Sequence, residues 1–371
     1  MPQIHAARRD RAAAAVSVLA ADAVLVTSAV NVRYLTGLVS SNAAVLLAAG
    51  GEAVLATDAR YAGTAQRECP DVDLVIDRDV DGALAGRAGA AGWRTIAFED
   101  LWLTVRRYQR LAGQGGLAGG GPSGAGLVPV GDLLDELRMV KDEAEIDLLA
   151  KACAITGEAF SAVLGELRPG VTEREYAVAL ERAMVDLGAE AVAFDTIVAS
   201  GQNGAIPHHS PGGRAFEAGD LVTVDCGARV GGYHADMTRT VAIGKPAAWQ
   251  CEIYQLVAAA QAAGVAAARP GAEVREVDAA ARDLIDAAGH AGNFTHGLGH
   301  GVGLEIHEAP IISGGRAGRL ADRVPVTIEP GIYLPGRGGV RIEDTLVVRA
   351  GTGAAGSAQP LTTITRELLV L

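Results

Sequence analysis

The chain has 371 residues, of which 49% are hydrophobic and 20% charged. That length and composition predict a soluble globular protein with two domains and a substantial core. Its 32 basic and 44 acidic residues give a net charge of −12, which argues against nucleic acid or an anionic membrane surface as a partner.

Near the start, Arg8, Arg9 and Arg11 precede an apolar stretch over 12–20, a pattern faintly like a secretory leader. Asp10 interrupts the basic cluster and Asp22 closes the run, so the segment reads as an amphipathic helix instead. No run approaches the roughly 18–20 apolar residues that a membrane span needs. The four cysteines, Cys69, Cys153, Cys226 and Cys251, have neither metal-finger nor redox spacing. They suit a reducing compartment, and a cytoplasmic protein is expected.

Strand patterns follow at 23–27, 43–47, 53–56, 74–76 and 95–98, alternating with helical patterns near 4–20, 58–68, 80–91 and 101–112. Such alternation predicts an α/β domain with a mixed or parallel sheet. The stretches NVRYLTG (31–37) and TDARY (57–61) follow strands and could touch a substrate or a second subunit, with ordinary loop structure as the default reading. Residues 112–126, AGQGGLAGGGPSGAG, read as a flexible linker. The expected domains are therefore 1–126 and 127–371.

The second domain carries an internal repeat. A long helical pattern ends at Arg168-Pro169-Gly170, and a second helix follows, with Thr172 and Glu175 as a capping box and Gly188 as its stop. About a hundred residues later Arg269-Pro270-Gly271 ends another helix, again followed by a helix that Gly289 stops. Each half then runs into a strand-rich region carrying acids. In the first, strands at 221–224 and 237–241 flank the Gly-rich turn 228–232 and predict a hairpin. Closing it brings Asp225 and Asp236 together. In the second, the turn 335–339 brings Glu329 and Glu343 together in the same way. Solvated turn acids are the bland reading of either pair. Two such pairs on related halves make coincidence a poor account, because like charges at close range need a partner cation.

Histidine enters in a Gly-rich stretch, His296 to Gly303, followed by His307; His208 and His209 lie upstream. A lone histidine is more often a satisfied structural residue than a ligand. Clustering among glycines, which let backbone and ligand approach, shifts that expectation. Asp225, Asp236, Glu329 and Glu343 carry four negative charges, which two divalent cations balance. One imidazole among oxygens suits Mn²⁺, Co²⁺, Fe²⁺ or Zn²⁺ rather than a thiolate-bound metal.

The segments DCGARVGGYHADMTRT, HGLGHGVGLEIHEAP, IEPGIYLPG and GVRIED resemble the pita-bread metallopeptidases, a group that includes aminopeptidase P, prolidase, methionine aminopeptidase and the metal-free creatinase. NVRYLTG and TDARY resemble the creatinase-type N-terminal domain, so the resemblance covers essentially the whole chain. It implies an α/β (α+β) protein, with a creatinase-like N-terminal domain and a C-terminal pseudo-twofold pita-bread domain. It implies that Asp225, Asp236, His300, Glu329 and Glu343 hold two divalent ions, Mn²⁺ ahead of Co²⁺ or Zn²⁺. Asp236 and Glu343 would touch both ions or close the site, and His300 would bind one.

By the same resemblance His208 faces substrate, His296 steadies the tetrahedral intermediate or shuttles a proton, and His307 contacts the scissile amide region. Glu329 is the implied general base, Arg341 supports Glu343, and Tyr333 sits behind the ligands. The implied reaction is hydrolysis of the bond between an N-terminal residue and a following proline, by attack of a metal-bridged hydroxide. A separate N-terminal domain, His208 and the chain length favour this proline-specific branch. A homodimer acting on proline-containing peptides is implied, since in this family the first domain often restricts the neighbouring subunit's site. Protonation of the three histidines near their ordinary pKa of roughly 6.5 would then cost activity. Cys226, directly after Asp225, departs from the larger apolar residue common there and reads as packing.

Two rivals remain at the level of sequence. One is a non-catalytic peptide- or protein-binding module that keeps the fold; retention of all five ligands weighs against it. The other is a creatinase-like C–N hydrolase that needs no metal.

Overall fold

The computed structural model describes residues 2–113, 126–351 and 356–371. The chain divides into two compact units, Met1–Arg138 and Met139–Leu371.

The first unit holds helices α1 (Pro2–Val18), α2 (Ala29–Thr36), α3 (Ala62–Glu68), α4 (Val80–Ala90), α5 (Val105–Gly113) and α6 (Leu133–Met139). Its strands are β1 (Ala23–Val26), β2 (Ala43–Ala48), β3 (Ala53–Thr57), β4 (Asp73–Ile76), β5 (Thr95–Phe98) and β6 (Gly126–Pro129). They form one sheet in the order β4-β3-β2-β1-β5-β6. The pairs β1–β2 and β2–β3 are antiparallel and the rest parallel, so the sheet is mixed. Leu25, Leu46, Leu84 and Ile96 lie in its core.

The expected strands fall where the apolar runs are. The stretch 31–37 departs from expectation, because it forms most of α2. That helix is short and lacks a side-chain N-cap, so its local signal is weak. Tertiary contacts hold it instead: Asn31 donates to Glu99 Oε1 at 2.6 Å and accepts from Arg138 at 2.8 Å. The helices expected at 58–68 and 101–112 begin later, at Ala62 and Val105. The second unit starts at Met139, so the boundary expected at 126/127 is too early; β6 pairs with β5 inside the first sheet. The expected linker lies, but for its ends, outside the described residues.

The second unit opens with α7 (Glu143–Val163) and α8 (Glu173–Asp186). With its 3₁₀ extension, Glu143–Glu166 is long and apolar enough to cross a membrane by length and composition, which the sequence reading missed. Its apolar face, including Ile146, Leu149, Ala152 and Phe160, is buried in the fold, as in a core helix. Thr172 and Glu175 form the expected capping box of α8. Short strands β7 (Ala191–Val192) and β8 (Ile197–Ser200) follow. Next come β9 (Leu221–Cys226), β10 (Ala228–Val230), β11 (Tyr233–His234) and β12 (Met237–Ala242). The second half repeats the order with α9 (Ala248–Ala267) and α10 (Val274–Ile285), and a π turn over Asp286–His290 in which Gly289 has φ 87°. It continues through β13 (Gly299–Gly301), β14 (Glu308–Ile312), β15 (Val324–Ile328), β16 (Gly331–Leu334), β17 (Gly338–Arg341), β18 (Asp344–Arg349) and β19 (Ser357–Pro360).

The repeat is visible in backbone hydrogen bonds. Gly170 N donates to Phe216 O, and Phe216 N to Val171 O. Gly271 N and Leu320 N make the matching pair with Leu320 O and Ala272 O. The hairpins are longer than expected. β9 pairs with β12, Cys226 opposite Met237, and the residues between them turn back as β10–β11 around Gly231 and Gly232. Likewise β15 pairs with β18, and β16–β17 turn back beyond them.

Close backbone approach sets where these strands end. A Cβ on Gly227 would lie 1.8 Å from Ala235 O, and one on Gly299 would lie 2.0 Å from Thr327 O. Neither carbonyl can yield as a flexible side chain does, so G299A forces β13 off β15. We expect a loss of about 3 kcal/mol or more, read as a lower melting temperature. An unchanged melting curve would contradict the close approach.

Candidate active site

Five acidic and imidazole side chains reach one cavity from strand ends of both halves. Asp225 is the penultimate residue of β9, and Asp236 immediately precedes β12. His300 lies within β13, Glu329 follows β15, and Glu343 precedes β18. Strand alternation points Cys226 away from Asp225, and its side chain is fully buried. One ligand atom from each of Asp236, His300 and Glu343 lies within 4.8 Å of the others. His300 Nε2 is 3.4 Å from both Asp236 Oδ2 and Glu329 Oε1. Asp225 Oδ2 accepts from Arg341 at 2.8 Å. The cavity measures about 390 Å³, and Phe194, His208, Ile306, His307 and Ile311 help line it.

The electrostatics are those of crowded, buried acids. Burial first, then the charges of Asp225 and Glu329, push the Asp236 carboxyl well above its ordinary range. Burial, then Asp236 and Glu329, do the same to Glu343. Glu329 is raised by burial, against the pull of His300 and Arg341. Asp225 Oδ1 and Glu343 Oε1 are buried and have no hydrogen-bond partner, a costly state for a carboxylate oxygen. Divalent cations answer both costs. A set of oxygens with one imidazole is the donor chemistry for Mn²⁺, Co²⁺ or Zn²⁺, so these residues fit a metal centre.

The rings are set by carbonyls. His300 Nδ1 lies 2.9 Å from Gly301 O. Because a carbonyl only accepts, Nδ1 carries the proton and Nε2 keeps its lone pair for a ligand. His296 Nδ1 donates to Gly297 O at 2.8 Å, so its Nε2 accepts from Tyr333 OH at 2.8 Å. Tyr333 OH in turn accepts from Arg341 at 2.9 Å. Burial, then Arg341, lowers the His296 pKa to about 4. Burial, then His300, lowers that of His307. Burial pushes Tyr333 up to about 12. For His296 and His307 this moves titration below the 6.5 expected from sequence. His208 lines the cavity, whereas its neighbour His209 turns to Glu173 at 2.8 Å.

Sequence reasoning passed over several residues that hold this set. Thr238 donates to Glu343 Oε2 at 2.7 Å and accepts from Arg341 Nε at 3.0 Å. Thr327 accepts from His300 N at 3.1 Å and donates to Glu329 Oε1 at 3.3 Å. Each threonine is two residues from a site acid, hence on the same strand face, and that period was the available signal. Asp278 and Arg282 on α10 carry Leu298 N and His296 O. Lys141 pairs with Glu308 at 2.7 Å, both deeply buried, beside His307. These long-range partners leave no short spacing to read.

Residues 147–350 match the metallopeptidase family M24, and residues 8–140 match the creatinase/prolidase N-terminal domain. The chain belongs to family M24. It is a peptidase of the kind whose activity rests on divalent metal ions. It is 38% identical to the uncharacterized peptidase YqhT of Bacillus subtilis over 95% of this chain and 97% of that protein. It is 45% identical to a Xaa-Pro dipeptidase of Pyrococcus furiosus over 65% of this chain and 68% of that one. Among solved structures, a Xaa-Pro dipeptidase from Bacillus anthracis superposes with a TM-score of 0.92 at 34% identity, over 99% of this chain and 100% of that one. An X-Pro aminopeptidase from Thermotoga maritima gives 0.88 at 33%, over 98% and 99%. The creatinase-like N-terminal domain and pita-bread C-terminal domain expected from sequence are therefore the fold of this M24 metallopeptidase.

The raised carboxyls give metal loading a sign. A raised carboxyl keeps its proton to higher pH, and a cation must displace any proton it holds, so apparent metal affinity should rise with pH. Calorimetric titration at pH 7 in buffers of different ionisation enthalpy should show net proton release. Zero release would contradict the raised carboxyls.

Proposed function

We propose that this M24 metallopeptidase hydrolyses the bond between an N-terminal residue and a following proline, as a Xaa-Pro dipeptidase. The observation that carries the reading is the convergence of Asp225, Asp236, His300, Glu329 and Glu343 on one cavity, with two carboxylate oxygens left unpartnered. The names of the relatives support the proline-directed part. A second reading, release of the first residue from longer Xaa-Pro-Yaa peptides, is favoured by the near full-length likeness to an X-Pro aminopeptidase.

The five residues would hold two divalent cations, and Mn²⁺ is the ion we propose, with Co²⁺ or Zn²⁺ admitted by the same donors. The chemistry supplied by such a pair is polarisation of the scissile carbonyl and acidification of water. Glu329, at the cavity wall, takes the proton of the attacking water as general base. Arg341 pairs with Asp225 and positions Tyr333, whose hydroxyl holds His296. His296 stays neutral at working pH because of its burial. His307, edge-on to the His300 ring with centroids 4.4 Å apart, and His208 line the space where the substrate amide lies. A proline nitrogen has no proton of its own in the peptide, so the leaving amine must receive one, and the proton that Glu329 takes from water is the one at hand, since burial keeps His296 and His307 neutral.

The charges close with one position to spare. Four carboxylates are met by Arg341 and two divalent ions, leaving a single positive charge for an ionised water or for the carboxylate of a dipeptide. Free cysteines at positions 69, 153, 226 and 251 suit a reducing cytoplasm, and a homodimer is the proposed working form.

Release of the first residue should be measured on Xaa-Pro and Xaa-Pro-Yaa with Mn²⁺ and with chelator. Chelator should abolish turnover, and E329Q should lower kcat by about 10²–10⁴. Turnover in chelator would return the creatinase-like reading. Two bound ions with no cleavage of either peptide would return the binding module. With the His296 pKa near 4, H296N should leave any acid limb of kcat/KM near pH 6.5 in place; its disappearance would overturn the neutral-ring assignment.

A further inference from the structure

Behind the metal-ligand set lies a guanidinium that the reaction does not use. Arg239 is 2% exposed and sits on β12, one residue after Thr238. A guanidinium has five N–H donors in a fixed fork, and every one of them is engaged. Nε donates to Thr365 O at 2.8 Å. One terminal nitrogen donates to Thr238 O at 2.8 Å and Glu343 O at 2.6 Å. The other donates to Asp344 Oδ1 and Ile364 O, both at 2.7 Å. The acceptors come from three places: a strand of the first half, the start of β18 in the second half, and the segment that follows β19.

We propose that Arg239 is a positioning residue that holds the two halves of the metal centre in register. It acts through Thr238 and Glu343, never touching substrate or ion. Its bonds to their carbonyls fix the two backbones whose side chains meet as Thr238 Oγ1 and Glu343 Oε2. Glu343 N donating to Thr238 O at 3.1 Å completes the same crossing. Asp344 keeps the guanidinium aimed, and its second oxygen is occupied by Gln261 at 2.9 Å. A slip of β18 against β12 would move Glu343 away from Asp236 without unfolding either strand. The inference rests on the assignment of Glu343 and its partners as metal ligands.

The test is calorimetric titration of the metal-stripped protein with Mn²⁺, beside thermal melting. Wild type should bind two ions. Lysine has three donors on a single nitrogen and cannot reach five acceptors, so R239K should weaken binding by about 10–100-fold while remaining folded. D344N, which removes the charge that aims the guanidinium and sets an amide NH2 against either Arg239 or Gln261, should lose affinity in the same direction. L149A, a cavity in the core helix α7, should lower the melting temperature and leave Mn²⁺ affinity unchanged. Wild-type affinity in folded R239K would overturn the proposal; should R239K fail to fold, wild-type affinity in D344N would do the same. Equal weakening in L149A would reduce Arg239 to a general stabilising role. Absence of Mn²⁺ binding by wild type would instead remove the ligand assignment itself.

Discussion

The structure depends on one unfavourable fact, the burial of four carboxylates around a single cavity. Desolvation and mutual repulsion oppose their ionisation together, and Asp236 and Glu343 register this as carboxyls pushed far above their usual range. Much of the surrounding architecture relieves that cost. Arg341 brings a positive charge to Asp225, Thr238 and Thr327 donate to glutamate oxygens, and two buried oxygens keep no hydrogen-bond partner among the described residues. A buried charge is tolerable only where its remaining lone pairs are met.

Delivering those acids to one point is the work of the duplicated half. In each half a helix ends at Arg-Pro-Gly, a second helix follows, and paired strands bring two carboxylates to a strand end. Facing strands then meet so closely that only glycine fits at 227 and 299. Threonines across the junction, Thr223 with Thr240 at 3.1 Å and Thr240 with Arg341 O at 2.9 Å, knit β9, β12 and β17 together. Asp225 and His300 stand within strands, and Asp236, Glu329 and Glu343 stand one residue from a strand end, which holds their geometry more closely than a free loop would.

The imidazoles show how burial divides labour among like residues. His300 turns Nε2 into the cavity because Gly301 O holds the other nitrogen. His296, kept neutral by burial and by Arg341, lies between a carbonyl and the Tyr333 hydroxyl. His209, next to His208 in sequence, is drawn off to the buried Glu173. Chemically identical side chains acquire distinct protonation and hydrogen-bonding roles from their surroundings alone.

Much of this was legible in the residues. Apolar runs located the five strands of the first unit that lie before the linker, and the twofold Arg-Pro-Gly pattern, the capping box at Thr172 and the paired acids announced the second. Those are local signals, set by side-chain period, turn chemistry and charge. Other features were decided in three dimensions. The 31–37 stretch became helical because Glu99 and Arg138 engage Asn31, and β6 joined the first sheet because β5 had an open edge. The tuning of His296 and His307 followed from burial, and Arg239 took its place because acceptors from distant segments converge on one guanidinium. A sequence states which groups are present and how a short stretch prefers to fold. Which groups lose their water, and which distant partner replaces it, exists only once the chain has closed on itself.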